Sequence, residues 1–178
     1  QLAVNGLAEL KGQLTLSRTQ DPNTNIAYKL ADGELTVQDF QLLENKLSVL
    51  SAPMLKITAL ATAYETIHFG NVSLENGSIL LPTNRIPDIF KHFTTGKYLI
   101  QNIDFNGQVT LLPDEKGKQK TIYPDVSVQI KDLDTPEKAK ENFSISAKTP
   151  TGGAVQGQGD MRLSPFSLVV NTEFDGFA

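Results

Sequence analysis

The stretch GQGDMRLSPFSLVVNTEF, from Gly157 to Phe174, has the pattern of two β-strands joined at Ser164-Pro165. Apolar and polar residues alternate on both sides of this joint, and a period of two indicates a strand with one buried face. The apolar positions are Met161 and Leu163 before the joint, and Phe166, Leu168 and Val170 after it. The stretch therefore predicts two half-buried strands.

The opening of this stretch has two earlier counterparts in the chain. The pattern Gly-x-apolar-x-Leu begins at Gly12, at Gly107 and again at Gly159, with unequal spacing. Because a glycine followed by alternation is typical of any strand after a turn, the pattern fits a structural repeat and unrelated strands about equally well.

The same alternation covers most of the chain and predicts an all-β fold. Asp32-Gly33, Asn76-Gly77 and Asn106-Gly107 lie between apolar runs, and such pairs favour type I′ hairpin turns, whose central residues need φ > 0. We therefore expect hairpins at these pairs and a mainly antiparallel meander, with a β-bulge at Gly70, where the alternation changes phase. The apolar rows expected to share one face are Leu14 and Leu16, Leu35 and Val37, Ile67 and Phe69, Ile103 and Phe105, Val109 and Leu111, Val126, Val128 and Ile130, and Met161 and Leu163.

One stretch departs from the period of two and predicts a helix. In RIPDIFKHFTTGK the apolar residues have the i, i+3, i+4, i+7 spacing of an amphipathic helix, and Gly96 is placed to end it. The apolar face consists of Ile86, Ile89, Phe90 and Phe93. We expect a single β-rich segment, 1–178, in which a helix at 85–95 separates a first strand set at 1–84 from a second at 96–178.

Length and composition bound the function. A chain of 178 residues suits one domain or part of a longer protein. Because Gln1 already lies in a β-like pattern, we expect a segment of a longer protein whose export signal or anchor lies outside it. The net charge of -4 offers phosphates no broad cationic surface, which argues against nucleic-acid binding. The lack of cysteine excludes disulfides and thiolate metal sites.

Sequence signals of catalysis are nearly absent. His92 lies on the polar face of the predicted helix and His68 alternates with apolar neighbours, so both have the pattern of surface residues. No G-x-S-x-G, H-E-x-x-H or Walker-type motif occurs. The oxygen-rich DPNTN at Asp21 lacks the turn glycine of a calcium loop and fits a plain turn better. We therefore predict a protein that is not an enzyme and needs no cofactor or metal.

Two segments resemble the AsmA-like family of bacterial envelope proteins, the relatives of AsmA, TamB and YhdP. The first is APMLKITALATAYETIHFGNVSLENGSILLP, from Ala52 to Pro82, with a Pro-Leu-like start, a strand, a short break and two further strands. The second is GGAVQGQGDMRLSPFSLVVNTEFDGF, from Gly152 to Phe177. It has Gly-Gly, a strand, Gly, a strand ending near Pro, and a final strand that closes in apolar-Asp-Gly-apolar.

The resemblance implies a periplasmic protein tethered to the inner membrane of a Gram-negative bacterium by a helix outside this segment. It further implies antiparallel strands that curl into an elongated half-pipe, whose apolar groove is proposed to carry phospholipid acyl chains between the inner and outer membranes. The apolar rows would then line the groove, and the helix face at 86–93 would cap it. Because the chain is shorter than the longest family members and carries this helix, an open groove and a closed module both remain expectations.

The alternation alone also fits a β-sandwich, in which the apolar faces close on each other. Such a module would be a structural or scaffold part of the cell envelope that binds a protein partner through a free sheet edge. The expected partner is thus a phospholipid or another acyl-chain lipid, and the alternative partner is another envelope protein.

Overall fold

The computed structural model describes residues 2–18, 26–63, 66–82, 98–112, 120–133, 142–163 and 166–176. The described residues form a single curled sheet that is not closed, with its strands in chain order from β1 to β9. This confirms the predicted all-β half-pipe, and the described strands do not divide into the two sheets of a sandwich. The strands are β1 (Leu2–Arg18), β2 (Ile26–Glu44), β3 (Leu47–Ala63), β4 (Thr66–Pro82), β5 (Tyr98–Leu112), β6 (Thr121–Ile130), β7 (Phe143–Lys148), β8 (Ala154–Leu163) and β9 (Phe166–Asp175).

Neighbouring strands are antiparallel except for one pair. β4 and β5 run parallel, with Ile67 beside Tyr98 and Pro82 beside Leu112. Parallel neighbours need a crossover connection of about a dozen residues or more, and residues 83–97 separate these two strands. The predicted helix at 85–95, with Ile86, Ile89, Phe90 and Phe93, falls in this connection and lies outside the described residues.

The three predicted hairpin turns are wrong. Asp32-Gly33, Asn76-Gly77 and Asn106-Gly107 lie inside β2, β4 and β5. Asp32 and Asn76 do have positive φ, 50° and 54°, but this conformation suits a β-bulge as well as a type I′ turn. The hairpin between β2 and β3 instead turns at Asn45-Lys46, where both φ values are positive.

Bulges in β2 explain the glycines of β1. The β1–β2 register shifts at Gly6 and again at Gly12, so each glycine lies opposite two residues of β2. A β-carbon on Gly6 would lie 2.5 Å from Cγ1 of Val37. The bulge residue beside Gly6 is Asp39, whose φ is 51°. These glycines therefore permit close approach of two backbones at points where the sheet bends.

The three Gly-x-apolar-x-Leu sites share this property. A β-carbon on Gly12 would lie 3.0 Å from the Cα atom of Gly33. One on Gly107 would overlap the backbone of Gly77, and one on Gly159 would overlap the carbonyl oxygen of Val169. Each repeated glycine thus stands where a neighbouring strand comes unusually close.

The bulge predicted at Gly70 does not shift the register between β3 and β4. Thr58 pairs with Asn71 and Ala61 pairs with His68, without an extra residue on either strand. Ala59 takes positive φ on β3 directly beside Gly70. At this point the alternation of inward-facing and outward-facing residues therefore reverses on both strands together. The apolar residues on either side of it stay on one face of the sheet.

The hydrophobic core covers one face of the sheet, here called the inner face. Its main cluster draws on β2 to β6, and its least exposed members are Val126 and Phe105, at 2% and 3%. A second cluster around Ile130, Phe143 and Met161 continues it toward β8. The main cluster contains Leu30, Val37, Phe40, Ala52, Leu55, Ile57, Leu60, Leu74, Phe105 and Val126.

Polar side chains form transverse hydrogen-bonded rows on the opposite, outer face. Asn102 donates its side-chain amide to Asn71 Oδ1 at 2.7 Å, and Asn71 donates to Thr58 Oγ1 at 3.2 Å. In a second row, Gln129 donates to Asp104 Oδ1 at 2.8 Å. The sheet therefore has an apolar inner face and a polar outer face whose side chains bridge neighbouring strands.

Candidate functional site

Most of the apolar rows predicted from sequence lie in the packed centre of the inner face. Side chains there contact one another across neighbouring strands, so the central part of this surface is already filled. The buried members are Val37, Phe105, Val126, Ile130 and Met161. The partly buried members that pack against them are Leu35, Ile67, Phe69, Ile103, Val109 and Val128.

Two predicted residues, Leu14 and Leu16, lie at an open edge. They belong to β1, which is the first strand of the sheet, and they are 63% and 64% exposed. Leu111 is half-buried near the end of β5, and Leu163 ends β8 with a side chain outside the described part.

The β1 residues with even numbers face the inner side. Ala8 pairs with buried Val37, and Leu14 pairs with buried Leu30. Because directly opposite residues of an antiparallel pair share a face, the even-numbered apolar side chains of β1 lie beside the core, whereas Leu7, opposite Gln38, faces the outer side. We call the exposed set the β1 row, which consists of Val4, Leu10, Leu14 and Leu16.

Sequence reasoning missed half of the β1 row. Val4 and Leu10 were not among the predicted residues, although both are more than half exposed on the inner side. A signal was present, since all even positions from Leu2 to Leu16 are apolar or glycine. Glycines at 6 and 12 interrupt this row, which hides it from a search for consecutive alternating leucines.

The other edge of the sheet also has exposed apolar side chains. Leu168 of β9 pairs with buried Met161, and Phe174 pairs with Val155, so both face the inner side. Their exposed fractions are 43% and 61%. The inner face is therefore packed at its centre and open at both edges.

Charges avoid the inner face in the described ion pairs. Lys11 Nζ lies 3.3 Å from Glu9 Oε1 on β1, and Lys56 Nζ lies 3.3 Å from Glu34 Oε1 between β3 and β2. All four side chains alternate with inner-face neighbours and are substantially exposed. The β1 row therefore lies on the inner face of the sheet, and these two ion pairs lie on the outer face.

A hollow of about 710 Å³ lies over β6 to β9, and most of the side chains that line it are polar, with Ile145 and Val169 as the apolar exceptions. Its lining includes Ser127, Ser144, Ser146, Gln156, Gln158 and Asn171. An alkyl chain bound there would remove water from hydroxyl and amide groups without replacing the lost hydrogen bonds, which costs free energy. This hollow is therefore a poorer place for an acyl chain than the β1 row.

The described residues contain no group of three or more His, Cys, Asp or Glu side chains arranged to hold a metal ion. Within the same residues, no helix has the length and apolar character needed to cross a membrane. The described inner face offers exposed apolar side chains at its two edges.

No protein-family model matches the chain, and neither the curated proteins nor the solved structures include a significant match.

Proposed function

We propose that this chain binds the acyl chain of a phospholipid or a similar lipid along the inner face at the edge formed by β1. The observation that carries the proposal is the β1 row, whose apolar side chains continue the inner face of β2 but stay exposed. An exposed contiguous apolar surface on a soluble domain marks an interaction site.

The dimensions and energetics of the β1 row suit an alkyl chain. At about 3.3 Å per residue, the distance from Val4 to Leu16 is roughly 40 Å, longer than an extended fatty-acid chain. Each methylene removed from water contributes ~0.8 kcal/mol. Contact along part of the row would therefore bury enough methylene groups to bind a lipid by apolar contact alone.

The packed centre of the inner face limits the part of the predicted groove in which a lipid can bind. Val126 and Phe105 are already almost fully covered by other side chains, so an acyl chain there would have to displace native packing. We place the lipid at the open edge, against Leu10, Leu14 and Leu16.

The wider biological role follows the family resemblance. We propose a non-enzymatic segment of an AsmA-like protein in the periplasm, tethered to the inner membrane by parts of the protein outside this segment. It would pass phospholipid between the inner and outer membranes. The curled, open sheet with one apolar face supports this role, and the net charge of -4 gives nucleic acid no favourable surface.

The experiment is native mass spectrometry of the gently purified chain, with lipid analysis of a solvent extract. Leu14→Asp places a charge in the β1 row, and Thr15→Asp places the same charge one residue away on the outer side. Both positions are exposed, so both variants should fold. We expect the first variant to lose bound phospholipid and the second to retain it.

Equal lipid content in the two variants, or a lipid-free wild-type chain, would contradict the proposal. A pair at Val128 and Gln129 discriminates less well. Val128 packs against the core, and Gln129 donates a hydrogen bond to Asp104. Charges at these positions would therefore disturb the fold or a neighbouring carboxylate.

A second candidate function is a scaffold module of the cell envelope that binds another envelope protein. The observation in its favour is the edge of β1 that faces away from β2, because no described strand pairs with β1 along that edge. Such an edge can accept an additional strand through main-chain hydrogen bonds. A lipid-free chain that crosslinks to an envelope protein through β1 positions would favour this function over lipid binding.

A further inference from the structure

The free edge of β1 has a sequence that suits pairing with a second copy of itself. Among the described strands β1 pairs only with β2, so its other edge offers backbone groups for a further strand. Its even positions face the inner side, and Glu9 and Lys11 at odd positions face the outer side. We infer that two copies of this chain associate through antiparallel β1 strands, with Leu10 at the two-fold axis.

The alternation restricts the register of such a pair. Residues directly opposite each other in an antiparallel pair share a face, and a slip of one residue moves every side chain to the other face. A two-fold axis that lies between a residue and its own counterpart pairs even-numbered residues with even-numbered ones, which keeps the β1 row of both copies on the inner side. An axis midway between two successive residues would pair even-numbered residues with odd-numbered ones and so set apolar side chains opposite polar ones.

Charge then selects one register among those that remain. With the axis at Leu10, Glu9 of each copy lies opposite Lys11 of the other, which creates two complementary pairs. With the axis at Glu9 or at Lys11, that residue would oppose its own counterpart, and like charges directly opposite each other are destabilising. In the single chain, Glu9 and Lys11 already lie 3.3 Å apart on the outer face.

The length of β1 favours the same register. β1 runs from Leu2 to Arg18, so an axis at its midpoint, Leu10, pairs the whole strand. Axes further along the strand shorten the ladder and leave the two charges without complementary partners. On the inner side, Val4 would lie opposite Leu16 of the second copy, which extends the apolar surface from one half-pipe into the next.

Disulfide trapping tests this register, because the chain has no native cysteine. Leu10→Cys should form a crosslinked dimer under mild oxidation. An equimolar mixture of Glu9→Cys and Lys11→Cys should crosslink between the two variants. Directly opposite Cα atoms lie about 4.5 or 5.5 Å apart in alternate pairs, and both spacings fall within disulfide range. Using both designs covers the two kinds of pair.

Ser17→Cys is the control, since the proposed register places Ser17 opposite Ala3 of the second copy. Its own counterpart would then be about 45 Å away along the strand. We expect little crosslinking of this variant under the conditions that trap Leu10→Cys. Equal crosslinking of the two would overturn the register.

Charge exchange tests the association without cysteine. Lys11→Glu and Glu9→Lys each set like charges opposite each other in both pairs, so each variant should raise the dimer dissociation constant by about tenfold or more. An equimolar mixture of the two variants restores both complementary pairs and should recover the dimer. Sedimentation equilibrium over a range of concentrations measures all three, and circular dichroism confirms that each variant is folded.

A wild-type chain that stays monomeric over the whole concentration range would overturn the inference. So would charge variants that associate as well as wild type, or a series of trimers and larger species. Such a series would indicate head-to-tail pairing of β1 with β9. The inference does not depend on lipid binding: a lipid-free dimer contradicts only the proposed function, and a lipid-loaded monomer contradicts only this inference.

Discussion

Gly107 of β5 lies so close to Gly77 of β4 that a β-carbon on Gly107 would overlap the carbonyl group and amide nitrogen of Gly77. The β4–β5 register shifts at this point, and Asn76 adopts a left-handed φ of 54°. Because Gly107 itself does not have positive φ, its requirement for glycine comes from the approaching backbone. One parallel bulge thus explains both an Asn-Gly pair and a repeated glycine.

Gly107→Ala should therefore destabilise the fold by steric overlap. We expect a loss of about 2–3 kcal/mol in the free energy of unfolding, which is typical of overpacking that forces backbone to shift. Urea denaturation followed by circular dichroism measures it.

Gly152→Ala is the matched control for Gly107→Ala. Gly152 has a φ of 93° but no atom within 4 Å of a β-carbon built there, so its alanine variant carries only conformational strain of about 1 kcal/mol. If Gly107→Ala proved no more destabilising than Gly152→Ala, the close approach of β4 and β5 would be contradicted.

The left-handed backbone conformation of Ala59, within β3, gives a second prediction. Ala59 has a φ of 51°, a conformation that costs a residue with a β-carbon about 1 kcal/mol or more. Ala61 lies two residues further along β3 in regular pairing with His68. We expect Ala61→Gly to lose about 1 kcal/mol, as glycine does in a regular strand.

Ala59→Gly should lose nothing, because the released strain offsets the greater freedom of glycine in the unfolded chain. The two variants should therefore differ in unfolding free energy by about 1 kcal/mol, measured from their urea midpoints. Equal losses in both would show that Ala59 is not strained.

The alternation of apolar residues predicted the fold class because it reports directly which side of a strand is buried. It could not predict how Asp-Gly and Asn-Gly pairs are used. Asp and Asn adopt positive φ more readily than most residues, and at Asp32 and Asn76 a bulge within a long strand meets that preference as well as a hairpin turn does. The local residue preference is the same in both structures, and only the pairing with neighbouring strands distinguishes them.

The position of a strand within the sheet was equally hidden. Leu14 and Leu35 have similar alternating neighbours, yet Leu14 is exposed at the edge and Leu35 packs against the core. Alternation gives the face of the sheet but not the number of neighbours a strand has. The edge character of β1 follows from the order of strands, which is a long-range property of the pairing.

The contrast between centre and edge of the inner face gives a third prediction. Phe105 is 3% exposed and contacts the main cluster, so Phe105→Ala should cost about 3–5 kcal/mol in unfolding free energy. Leu14→Ala at the open edge should change it by less than about 0.5 kcal/mol. Thermal and urea unfolding of both variants measure the difference, and a large loss for Leu14→Ala would mean that the inner face of the β1 row is covered in solution.

A cross-strand ion pair at a bulge gives the last prediction. Lys148 of β7 donates a hydrogen bond from Nζ to Asp125 Oδ2 at 2.7 Å, and Asp125 has a left-handed φ of 52°. This hydrogen bond and the charge of Asp125 raise the pKa of Lys148 above its ordinary value. A raised pKa in the folded state stabilises the fold at pH values below the ordinary lysine pKa. That contribution is lost as the pH rises through the raised folded value.

Asp125→Asn removes the charge, while asparagine keeps the tolerance for left-handed φ that the bulge needs. We expect the pKa of Lys148 to fall toward its ordinary value, as followed by NMR titration of the lysine side chain. The wild-type chain should also lose slightly more stability than the variant at alkaline pH. Asp132→Asn, at another residue with positive φ, is the control and should leave the pKa of Lys148 unchanged. An unchanged Lys148 titration in Asp125→Asn would mean that the ion pair does not form in solution.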